Sequence, residues 1–151
     1  MRVLAFDVGA KRTGVAVSDA SGTLARPLET LAGADMVAAA VALIARLARD
    51  GDGLAAVVVG LPLRGDGSET QGTPLARAFA TALARRVDTP VVLQDERLSS
   101  VEAESRLAVN ERNWRQRKRK LDAAAAAVIL QDYLDAEARR HEAAVHGLGD
   151  R

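Results

Sequence analysis

Two short runs in this chain are apolar on both faces of an extended backbone: Val3–Phe6 (VLAF) and Leu54–Val59 (LAAVVV). A strand reads that way when both of its faces are buried, which calls for helices on each side of a sheet. The rest of the chain supplies the other elements. Arg2–Val8 reads as a buried strand, Gly9–Arg12 as a tight turn, and Thr13–Ser18 as a second strand antiparallel to the first. Leu24–Leu31 reads as a third strand, which Pro27 confines to an edge. Asp35 is placed to cap a helix running to Arg49, with Gly51 just past its end. After the apolar strand Leu54–Gly60 comes a glycine-rich loop, Leu61–Gly72. Thr73 and Pro74 suit the N-cap and first position of a helix ending near Arg86. Pro90–Gln94 is a fifth strand, and Ser99 with Glu102 forms a capping box for the helix after it. The last helix is expected over Leu121–Glu142, with residues 143–151 as a flexible tail. A three-strand meander followed by helix–strand–helix–strand–helix predicts an α/β fold, a five-stranded mixed sheet with helices on both faces. Nothing in the composition marks a second domain, so residues 1–142 read as one.

The formal net charge is only +1, so bulk charge announces no polyanionic partner. The distribution is uneven, however: Arg112–Lys120 reads RNWRQRKRK. The chain has no cysteine, which excludes disulfides and cysteine-ligated zinc and fits a cytoplasmic protein. Only Val3–Phe6 is apolar before Asp7 interrupts, too little for a signal peptide, and the longest apolar run, Met36–Ala45, is too short to span a bilayer. No membrane partner is expected.

Three acids fall at the ends of these elements: Asp7, Glu96 and Asp122. A charge at Asp7, late in an apolar strand, is costly unless it is paired or bound to a metal. The plain alternative is a turn aspartate that caps the way into Gly9. Gly9 removes a side chain where a phosphate or metal would approach the backbone. Lys11 and Arg12, at the hairpin tip, could reach phosphates or be ordinary turn charges. In DERLSS, neighbouring side chains point to opposite faces, so at most one of Asp95 and Glu96 faces a site directly, and Glu96 is the choice. Arg97 could pair with Glu96 or clamp a phosphate. Ser99 reads as a helix cap, since no histidine lies near it in sequence. Asp122 is expected in the first turn of its helix, where the macrodipole favours a negative charge. Carboxylates beside cationic residues suit a magnesium or manganese ion acting on a phosphodiester. In the stretch before Asp122, Arg117, Lys118, Arg119 and Lys120 would neutralise phosphates, and Trp114 could stack on an exposed base or anchor the loop. The glycine loop lacks the Gly-Lys-Ser/Thr ending of a Walker motif. Within it Asp66 reads as a turn residue, and Ser68 and Glu69 could touch substrate.

The stretches LAFDVGAKRTGVAVSD, VVVGLPLRGDGSE, DERLSSVEAE and KLDAAAAAVIL, in that order, resemble the YqgF family, candidate pre-16S rRNA nucleases also called Holliday-junction-resolvase-like proteins. The resemblance spans nearly the whole domain. It implies an RNase H-like fold and a metal-dependent nuclease, with Asp7, Glu96 and Asp122 as catalytic acids and metal ligands. The implied task is trimming the 5′ end of pre-16S rRNA in ribosome biogenesis. The partners would be nucleic acid and ribosome-assembly particles. The mechanism expected is in-line attack by water activated between two ions about 3.5–4 Å apart. Two other readings stand beside it: a Holliday junction resolvase acting on branched DNA, and a non-enzymatic RNA-binding assembly module. An actin-like kinase half also carries D-x-G before a hairpin, but such ATPases use two related domains. Ala10 and Ser100 stand where the family more often has threonine, and the fourth carboxylate of related resolvases has no secure counterpart.

Overall fold

The computed structural model describes residues 1–97 and 114–149. The Ser99–Glu102 capping box therefore lies outside the described residues, as do the side chains of Arg97, Trp114, Arg117 and Lys118. The elements are β1 (Arg2–Val8), β2 (Arg12–Ser18), β3 (Ala25–Ala32), α1 (Met36–Arg49), β4 (Leu54–Leu63), α2 (Gly72–Arg86), β5 (Val91–Arg97) and α3 (Trp114–Gly149).

The five strands form one sheet in the order β3-β2-β1-β4-β5. β1–β2 and β2–β3 pair antiparallel, while β1–β4 and β4–β5 pair parallel. The mixed sheet with its antiparallel meander is the architecture expected, and Pro27 does sit on an edge strand. The two apolar runs are the two central strands. Alternation along them divides the core. Leu4, Phe6, Val57 and Val59 pack with Leu43 and Ile44 of α1 and Phe79 and Leu83 of α2. Val3, Ala5, Ala56 and Val58 face the other way, onto Ala126, Ile129, Leu130 and Leu134 of α3. Phe6 and Phe79 meet edge to face, centroids 5.4 Å apart.

The face under α3 is built from small residues, and this lets the helix come unusually close. A Cβ on Gly14 would lie 1.8 Å from the carbonyl oxygen of Asp122, and one on Gly60 would lie 2.5 Å from Ile129 Cδ1. Two polar contacts fix the helix along β3. Thr30 Oγ1 donates to the Arg119 carbonyl at 2.7 Å, and Gln131 Oε1 accepts from the Ala25 amide at 2.9 Å.

Asp35 caps α1 as foreseen, accepting from Ala38 N at 2.9 Å. Other boundaries differ from expectation. α2 begins at Gly72 with Gln71 at the cap, so Thr73 is inside the helix. Thr73 is fully buried, and its hydroxyl donates to the Pro62 carbonyl and accepts from Thr70 N, latching α2 to the end of β4. β4 and β5 run on to Leu63 and Arg97 because each gives the other a partner, Pro62 lying opposite Glu96 and Leu63 opposite Arg97. α3 starts at Trp114, seven residues before Leu121, and continues past Glu142 to Gly149. The basic run is rich in arginine and lysine and has no glycine or proline, so it propagates the helix. Among the described residues, no helix is long and apolar enough to cross a membrane.

Candidate active site

Asp7 is the second-last residue of β1 and pairs with Gly14 of β2. It follows Val3 and Ala5 onto the α3 face of the sheet. Burial, and then the charge of Asp122, raises its carboxyl from 3.8 to about 7. Asp122 comes to it from above: the backbone of α3 at Asp122 rests on Gly14, Asp7's own partner in the sheet. Two acids 115 positions apart are thus gathered by one glycine contact. Asp122 is the ninth residue of α3, not a first-turn residue, so the helix dipole does not explain its charge. Its partner is Arg12, whose Nε donates to Asp122 Oδ2 at 2.8 Å.

That pairing corrects the placement of Arg12 as a free hairpin-tip cation. It is the first residue of β2, on the same face as Gly14, and it turns inward. Lys11 stays exposed in the turn. Gly9 has a tighter reason to lack a side chain than ligand approach. Its amide donates to the Arg12 carbonyl at 2.9 Å, and a Cβ there would come within 2.6 Å of that oxygen.

Glu96 is buried and Asp95 is exposed. Alternation from Val92, which packs on the α3 side, puts Glu96 on the face that carries Asp7, and Asp95 on the other. β4 separates β1 from β5, so Glu96 is about 10 Å from the β1 axis. Among the described residues, no three acids or histidines stand close enough together to hold a metal ion. The donor set nonetheless suits a hard divalent cation: Asp7 and Asp122 offer only carboxylate oxygens, and a cation between them would offset both causes that raise Asp7. What is gathered is a two-acid edge, with Glu96 on the same face beyond it.

The basic stretch enters as helix. Arg119 and Lys120 are exposed on the rim of a groove of about 560 Å³ between β3 and α3, floored by Pro27, Ala123 and Ala124. In the glycine loop Asp66 is the turn residue expected, accepting from Ser68 N at 2.9 Å and Ser68 Oγ at 2.6 Å. Glu69 pairs with Arg77 at 3.3 Å. Sequence reasoning missed Gly14, Thr30 and the inward turn of Arg12. The first and last were findable, since pairing Asp7 with Gly14 puts Arg12 on the acid face by alternation. Thr30 left no local signal.

Known proteins similar to this chain place it in a family. A protein of Thiobacillus denitrificans, named a candidate pre-16S rRNA nuclease, is 46% identical over 134 residues, 89% of this chain and 91% of that one. One of Anaeromyxobacter dehalogenans with the same name is 46% identical over 138 residues, 91% of this chain and 99% of that one. Among solved structures, T. thermophilus RuvC in complex with Holliday junction substrate aligns with a TM-score of 0.49 at 17% identity, covering 91% of this chain and 95% of that one. The family model described as RuvX, Holliday junction resolvase, matches residues 1–136, and the chain belongs to that family.

Proposed function

We propose that this protein is a metal-dependent nuclease of structured nucleic acid whose substrate is the 5′ region of precursor 16S rRNA. The observation that carries the reading is the placing of Asp122 over Asp7: Asp7 lies on the α3 face near the end of β1, and the backbone of α3 at Asp122 rests on Gly14, the sheet partner of Asp7. A lone buried aspartate is expensive. A buried aspartate and a partly exposed one, gathered by a backbone contact, suit a site that a cation completes. The relatives' names supply the substrate class.

In this reading Asp7 and Asp122 would hold magnesium or manganese, and Glu96 would orient the attacking water or serve as a further ligand. When bound, the metal activates water and stabilises charge on the scissile phosphate. The chain's own part is positional. β1 fixes Asp7 by its ladder to β2, and the Gly14 contact fixes the height of Asp122 above it. Arg119 and Lys120, on the rim of the groove beside α3, offer cations to the nucleic-acid backbone, and contacts of that kind position a strand without reading its sequence.

The family description favours a second reading, cleavage of four-way junctions. Cleavage assays in magnesium and in manganese decide, comparing a 16S precursor fragment, a four-way DNA junction and a plain duplex. Precursor cleavage that disappears in Asp7→Asn supports the proposal. Junction cleavage alone selects the second reading. No cleavage of any substrate leaves a binding module and ends the enzymatic reading.

A further inference from the structure

We propose that Arg12 stands in for the cation: in the metal-free protein its guanidinium holds Asp122, and a bound divalent ion displaces it towards a backbone phosphate of the nucleic acid. The inference rests on the metal site proposed above and adds a role for a residue outside the acid set.

The geometry points this way at three places. The ion pair is a single contact, Arg12 Nε to Asp122 Oδ2 at 2.8 Å, so it is not the two-pronged lock that arginine makes when it is committed to a carboxylate. Both side chains keep a path to solvent, at 31% and 27% exposure, and an ion pair of that exposure contributes little net stability. The backbone of Arg12, by contrast, is pinned by the Gly9 amide at 2.9 Å and by the ladder to Ala32. A fixed backbone with a long, weakly held side chain can change partner without moving the hairpin.

Chemistry supplies the direction. Guanidinium does not lose its proton near neutral pH, so Arg12 cannot yield to an incoming cation by becoming neutral. The ion and Arg12 compete for one carboxylate and repel each other. Once released, a guanidinium at the open end of the sheet finds its other good partner in a phosphate. Cation binding and strand binding would then be coupled through a single side chain, since each favours the state the other needs.

A purely structural ion pair predicts the opposite sign. If Arg12 only props Asp122, removing it loosens a ligand and weakens the metal. The test is a calorimetric manganese titration of the full chain as wild type, Arg12→Gln, Arg12→Lys and Asp7→Asn, each checked for folding by circular dichroism. The expected result is manganese binding on the order of 3- to 10-fold tighter in Arg12→Gln. Arg12→Lys keeps the charge and should stay near wild type. The second readout is the salt dependence of binding to a cleavage-resistant 2′-O-methyl RNA oligonucleotide. With manganese saturating, Arg12→Gln should lower the slope of log K against log salt by about 0.7, the share of one neutralised phosphate. Without manganese the two slopes should coincide, because Arg12 is then engaged with Asp122. Unchanged or weaker manganese binding in a folded Arg12→Gln overturns this inference alone, provided that Asp7→Asn abolishes binding. A wild type that binds no manganese overturns both the inference and the metal site beneath it.

Discussion

Asp7 and Gly14 face each other across β1 and β2, and their costs are of different kinds. Asp7 carries an electrostatic penalty. Its carboxyl is raised from 3.8 to about 7, so the native state holds a proton that the unfolded chain gives up. Stability from this group is complete below about pH 4 and is lost as pH rises towards 7, after which it is flat. Asp7→Asn removes the charge and keeps the volume. In chelator-treated protein its melting temperature should therefore exceed wild type at pH 8, by the equivalent of at most about 4 kcal/mol, and match it at pH 4. Equal melting temperatures at both pH values would mean that Asp7 is as well solvated as an ordinary carboxylate. Gly14 carries a steric cost that has not been incurred. Any Cβ there meets the Asp122 carbonyl at 1.8 Å. Gly14→Ala should destabilise the fold by about 3 kcal/mol, since backbone cannot move aside as a side chain can. Gly65→Ala is the control, because nothing lies within 4 Å of a Cβ at that position. Denaturant melts of the two variants separate crowding from the general effect of replacing glycine.

At the scale of elements, α3 carries most of the consequence. Its first turns are the basic run, so Arg117, Lys118, Arg119 and Lys120 lie on a helix and not on a loop. Neutralising Arg117, Lys118 and Arg119 together should weaken nucleic-acid binding and lower its salt slope by about 0.7–0.9 for each phosphate that these residues neutralise. An unchanged slope would make the run a solvated helix face. The strands were the most legible elements in the sequence. Apolar runs and turn residues placed all five, because alternation and burial leave a local mark. The helix start at Trp114 was not legible in that way. A charge-dense segment gives no apolar period to read, and only its propensity reports helix. Asp7 and the choice of Glu96 over Asp95 came from local rules about charge in strands and about alternation. The Arg12–Asp122 pair joins residues 110 positions apart, and it became visible only once α3 was seated on β2. Thr73 was misplaced by two positions because threonine before proline is a strong cap signal, and burial against Pro62 overrode it.

Across the whole molecule, the two cores have unequal reach. α3 is 36 residues long, about 54 Å, roughly twice the length of a seven-residue strand. Leu134 is its last buried residue among those described, and residues 137–145 are exposed. A chain ending at Ala136, where the family match also ends, should therefore keep the melting temperature of the full chain within about 2 °C. A larger drop would show that the projecting end of the helix packs against something in solution. The seating of α3 on Gly14 has a further consequence for how the protein would withstand random substitution. The height of Asp122 is set by main chain resting on main chain, not by interlocking side chains. Substitutions among Leu43, Ile44, Phe79 and Leu83, on the other side of the sheet, can soften that layer without tilting the acids. In a library of variants, damage there should be recovered by cooling or by a compensating swap nearby. Damage at Gly14 should persist at every temperature at which the chain is folded, because the atoms it meets are main chain and no neighbouring side-chain change can give the helix back its floor.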